Sequence, residues 1–85
     1  MSKFDQIELM FLDLIETSKA VLSPAECAEI QEYIDVGEYG LALNTTVAIY
    51  LENNKVASAD ARLLVGRLAT AMKKHPDQFL DRLPK

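Results

Sequence analysis

Apolar residues recur along this chain at three- and four-residue intervals, and no stretch carries a convincing strand alternation. Four segments fit helical spacing. In the first, about Lys3 to Lys19, Phe4, Ile7, Phe11, Leu14, Ile15 and Ser18 share one face. Asp5, Glu8, Asp13 and Glu16 fall off that face, and so do Leu9 and Leu12. Two roles are open to these leucines: packing on a flanking helix of a bundle, or serving as exposed anchors for a partner.

The second segment opens with "SPAE". Ser23 fits the N-cap, Pro24 the first helical position, and Glu26 stands three residues after the cap, which together make a capping box. Cys27, Ile30 and Ile34 form its core stripe, and Gly37 fits the left-handed position just past a helix end. The third segment, about Glu38 to Asn53, carries Tyr39, Leu43, Val47, Tyr50 and Leu51 on one face. Leu41, Ala42, Ala48 and Ile49 lie on other sides, so this helix is expected to be the central one. The fourth starts at Ser58 as N-cap with Asp60 in its first turn, and its core face is Ala61, Leu64, Val65, Leu68 and Met72. Pro76 is expected to stop it near His75, with Lys73 and Lys74 at its C-terminal end. Phe79, Leu80 and Leu83 of "PDQFLDRL" are expected to dock on the bundle. The pattern predicts an all-α fold: a compact four-helix domain with a short C-terminal turn or helix, one domain over residues 1–85.

Composition agrees with a globular domain, at 49% hydrophobic and 26% charged. Charge changes the picture more. Residues 1–52 hold ten acids and two bases, a net of −8, whereas residues 53–85 hold three acids and seven bases, a net of +4. An acidic front does not suit nucleic-acid binding, which needs Lys and Arg to replace phosphate counterions. It can steer a basic protein partner, or simply keep the surface solvated. Glu26, Glu29, Glu32, Asp35 and Glu38 recur every third residue. At about −60° per step, Glu26 to Asp35 fan over roughly half the helix circumference, with few bases near in sequence.

Reactive chemistry is sparse. His75 is the only histidine and has no carboxylate or cysteine at ligand spacing. Cys27, the only cysteine, lies on a core stripe without a base to activate it, and it rules out an intramolecular disulfide. Acid pairs fall on polar faces of a chain too short to offer much of a cleft. Gly37, Gly40 and Gly66 match no phosphate-binding loop. No serine stands in the Asp-Ser-Leu context of an acyl carrier protein. The apolar run Leu9 to Ile15 is too short for a membrane span and lacks signal-peptide flanks. A cytoplasmic, non-enzymatic protein without cofactor or metal is expected.

The segment "LSPAECAEIQEYIDVGEYGLALNTTVAIYLEN", Leu22 to Asn53, resembles small immunity proteins of the MafI type and those of contact-dependent growth inhibition systems, the CdiI proteins. The "SPAE" start and the corner from Ile30 to Leu43 carry the resemblance, and "ASADARLLVGRLATAM", Ala57 to Met72, looks like the last helix of that family. The resemblance covers half to two thirds of the chain. It implies a cytoplasmic protein that binds and blocks one toxin C-terminal domain, often a nuclease cutting RNA and including the EndoU type. It assigns no contact residues. The contact set expected from charge and exposure is Leu9, Leu12, Asp13, Glu16, Glu29, Glu32, Tyr33 and Asp35. The alternative is a non-enzymatic helical adaptor or homodimerisation module that buries Leu9 and Leu12 against a second copy. A monomer or weak homodimer, with no direct contact to nucleic acid or membrane, is expected on either reading.

Overall fold

The computed structural model describes residues 3–85; the side chains of Lys3 and Phe4 lie outside the described residues, Phe4's expected core position with them. The chain forms α1 (Lys3–Ser18), α2 (Pro24–Asp35), α3 (Tyr39–Glu52), α4 (Ala59–Ala71) and the single turn α5 (Asp77–Leu80), with no strand among the described residues. α1 packs most closely on α4, and α2 on α3. Looser α1–α2 and α3–α4 contacts close the ring, and α5 caps α4. No helix of the described residues is long and apolar enough to cross a membrane.

Both expected helix starts form. Ser23 Oγ accepts from the Glu26 amide at 3.1 Å, and Glu26 Oε1 accepts from the Ser23 amide at 2.8 Å, completing the capping box. Ser58 Oγ accepts from the Ala61 amide at 3.1 Å. The helix ends are more uniform than the residues suggest. After α2, the Gly37 amide donates to Ile34 O and the Glu38 amide to Tyr33 O, at 3.0 and 2.8 Å. After α3, Asn54 and Lys55 donate to Leu51 O and Tyr50 O; after α4, Lys73 and Lys74 donate to Thr70 O and Ala69 O. Each is the paired bond of a Schellman stop, and each has its pivot in the left-handed region: Gly37 at φ 76°, Asn54 at 52° and Lys73 at 59°.

The α4 stop corrects the expected boundary. The helix ends at Ala71, before Pro76 has any influence, because the chain turns at Lys73. Lys73 and Lys74 therefore lie beyond the last turn. Gly40, at the start of α3, is not a close-packing glycine. A Cβ there would meet only Lys74 Cε at 3.9 Å, an ordinary contact, so no close helix approach depends on it.

The core takes Ile7, Phe11, Leu14 and Ile15 from α1, and Cys27, Ile30 and Ile34 from α2. α4 supplies Ala61, Val65 and Leu68, while Phe79 and Leu83 dock from the C-terminal segment as expected. α3 is less central than its composition suggests. Ala42, Leu43, Thr46, Val47, Ile49 and Tyr50 are buried, but Leu41 and Leu51 at its two ends are half-exposed. Leu51 thus leaves the face expected for it, and Thr46 turns inward instead. Thr46 Oγ1 donates to Ala42 O at 2.8 Å, which satisfies its hydroxyl without a partner helix.

Polar ties also join the elements, and two of them run from α3 to α1. The Tyr50 hydroxyl donates to Ser18 Oγ at 2.8 Å, with both residues buried, and burial pushes the phenol pKa up. The Tyr39 hydroxyl donates to Glu8 Oε2 at 2.5 Å, and its ring stacks on Phe11 with centroids 6.3 Å apart. Tyr39 therefore fastens the α2–α3 corner to α1.

Lys73 holds a conformation that a Cβ disfavours, so Lys73→Gly is expected to stabilise the fold by ~0.5–1 kcal/mol and Gly37→Ala to destabilise it by ~1 kcal/mol. Opposite shifts of Tm, each of a few degrees, check this; equal shifts would contradict the assigned stops. The bond from the Ser23 amide, then that from Asn53, hold the Glu26 carboxyl below its ordinary 4.5. A depressed carboxyl pKa adds stability above that value, and the gain is lost as pH falls through the folded pKa. Glu26→Gln is expected to flatten the acid limb of stability below about pH 4.5 relative to the parent, measured by urea melts across pH.

Candidate protein-interaction face

The outer side of α1 is where apolar surface and acid coincide. Leu9 and Leu12 are 49% and 50% exposed, so packing on a flanking helix does not account for either. Asp13 and Glu16 are exposed beside them. The position of these four follows from the turn of α1: Ile7, Phe11, Leu14 and Ser18 take the inward face, and what stands opposite must meet solvent.

On the α2 side, Leu12 lines a shallow cleft of about 310 Å³ with Glu8, Gln31, Ile34 and Asp35. The Gln31 side-chain amide donates to Asp35 Oδ1 at 2.8 Å and holds that carboxylate in place. Glu29 and Glu32 are exposed further round α2. Tyr33 lies elsewhere. Two residues before Asp35, it sits roughly 160° away around the helix, half-buried against the core. It shares its side of α2 with Glu26, which accepts from Asn53 of α3. The structure therefore groups Leu9, Leu12, Asp13, Glu16 and Asp35 around α1, places Glu32 at the margin and Glu29 beyond it, and sets Tyr33 apart.

Two further residues join α1 from the other flank. Asp60 and Leu63 of α4 line a second cleft of about 310 Å³ with Asp13, Glu16, Thr17 and Leu64. Asp60 reads in the sequence as a helix-start acid, and Leu63 carries no signal because it falls off the core stripe. Only the antiparallel α1–α4 pairing brings them beside Asp13.

Counter-charge is scarce on this face. Among the described residues the one ion pair is Lys19 Nζ to Glu16 Oε2, at 2.6 Å and exposed, which is worth little to stability. That pairing raises the Lys19 pKa. Among the described residues, Asp13, Glu29, Glu32 and Asp35 have no such partner. Among the described residues no three His, Cys, Asp or Glu side chains converge on a possible metal position. Cys27 is buried, and burial raises its thiol pKa, which lowers its reactivity. His75 is exposed at the α4–α5 link. The arrangement can attract and hold a basic protein surface.

Because these acids repel one another, removing their charge costs the fold little. The triple change Glu29→Gln, Glu32→Gln and Asp35→Asn is expected to leave Tm at low salt unchanged or slightly raised, within about 0.5 kcal/mol per site. A marked drop in a thermal melt would mean these carboxylates are structural. No protein-family model matches the chain, and neither a curated protein nor a solved structure matches it significantly.

Proposed function

We propose that this is a cytoplasmic, non-enzymatic immunity protein that binds a toxin domain through the outer face of α1 and its α2 flank. The observation that carries the reading is an acidic surface with little counter-charge and two half-exposed leucines within it. Two further features support it. The "SPAE" start is a capping box, and the glycine corner is a Schellman stop, so the motifs behind the family resemblance serve as scaffold for this face.

A nuclease that cuts RNA must carry a basic, phosphate-binding surface, and the acidic face is complementary to it. Acids such as Asp35, Glu32 and Asp13 steer the encounter and raise the association rate; Leu9 and Leu12, once desolvated, slow release. The inhibitor needs no reactive group for this, since covering the toxin's substrate-binding surface is enough.

The test is co-production with the C-terminal domain of a large secreted protein encoded directly upstream of this gene. Cells are expected to survive that domain only with this protein present. Changing Glu29, Glu32 and Asp35 together to Lys is expected to slow association at least tenfold at low salt, measured by surface plasmon resonance, with unchanged helicity. No toxicity, no protection, or an unchanged association rate would overturn the reading.

A further inference from the structure

The side of α4 that faces away from the core carries a feature the proposed function does not use. Gly66 has no side chain there, and a groove of about 540 Å³ opens over it, walled by Met10 of α1 and by Pro76 and Leu80 near α5. Leu63 stands at one end, 53% exposed. Arg67 is on the rim, exposed and without a hydrogen-bond partner among the described residues. Arg62, also on the rim, is committed to the C-terminal segment through Pro84 O at 2.8 Å.

The acidic cleft of Asp13 and Asp60 lies along the same α1–α4 face, and Leu63 lines both hollows. One face thus carries, in order along α4, an acidic end, an exposed leucine, and an apolar groove with a free guanidinium. A two-fold axis perpendicular to that face exchanges its ends. Such a contact is isologous, each end meeting the other end of the partner, which requires the self-complementarity seen here.

We propose that this face is a dimer interface occupied by a second copy of the chain. Leu63 of each copy enters the groove over Gly66 of the other, and Arg67 of each meets Asp13 and Asp60 of the other. Glu16 keeps its bond to Lys19 at the edge. The body measures 34 × 26 × 18 Å, and one face of it can bury about 1,200 Å² in total, at the lower end of specific interfaces. The dimer is accordingly weak, reversible and salt-sensitive. Leu12 and the α2 acids lie on the other flank of α1 and stay open in it, whereas Asp13 is shared by the two contacts.

Sedimentation equilibrium of the purified chain, without any toxin, tests this independently of the function proposed above. A monomer–dimer equilibrium weakened at least tenfold by high salt is expected. Arg67→Glu and Gly66→Leu should each weaken it similarly; a Cβ at Gly66 meets Leu80 Cδ1 only at 3.8 Å, so space for the new side chain lies in the groove, and circular dichroism confirms folding. The decisive arm mixes two variants. Arg67→Glu and the double variant Asp13→Lys with Asp60→Lys should each be mainly monomeric alone, yet should form a heterodimer together, because one symmetry-related contact of the mixed pair is native and the other has its charges reversed on both sides. A monomer at every concentration, a dimer indifferent to Arg67→Glu and Gly66→Leu, or a mixture that fails to pair would each overturn the proposal.

Discussion

A helix that ends within a small bundle leaves its last carbonyls without helical partners, and this chain meets that demand in one way three times. Gly37, Asn54 and Lys73 each take a left-handed conformation, and the two amides that follow return to the final turn. The backbone is thereby satisfied, and the chain reverses within a few residues. The links are then too short for the helices to do anything but run back along one another. Which residues face the core follows from where each helix is cut. α4 stops at Ala71, which leaves room for the segment that brings Phe79 and Leu83 under the bundle.

Sequence reasoning reached the helix starts and two of the core stripes because those features are local. A serine hydroxyl and a glutamate three residues on identify a capping box wherever they occur. Ile7, Phe11 and Leu14 lie on one face at helical spacing, and so do Cys27, Ile30 and Ile34. Gly37 was legible as a stop since glycine accepts a positive φ freely. Lys73 was not, because nothing in a lysine announces a left-handed residue, and Pro76 drew the boundary to itself. α3 misled for a different reason. With apolar residues on nearly every side, its inward face is set by what the neighbouring helices offer, so Leu51 went out and Thr46 went in. Of the interaction face, the α1 and α2 acids were legible as a charge excess. The contribution of Asp60 and Leu63 was not, since it depends on pairing the first long helix with the last.

Apolar burial stabilises this domain, and charge shapes its surface. A fully buried Leu or Phe contributes about 1.5–3 kcal/mol, whereas an exposed pair such as Lys19–Glu16 adds little. The acids of α1 and α2 are therefore free to be arranged for something other than stability. Leu9 and Leu12 stand half-exposed among them even though leucine gains by burial. A surface that spends neither its charges nor its leucines on the fold is suited to contact with another molecule.

The bond from Asn53 to Glu26 has a bearing on how the domain assembles. Glu26 caps the start of α2 and also receives the amide at the end of α3. That single carboxylate closes the α2–α3 hairpin, whose two helices are separated by only a three-residue corner. Closing so short a loop costs little entropy. The α1–α4 contact must instead join segments from opposite ends of the chain, at a higher entropic cost. Loop closure thus favours α2–α3 contacts over the contact between α1 and α4. That costly contact is the one that sets Asp60 and Leu63 beside Asp13, so the outward face is complete only when both ends of the chain have met.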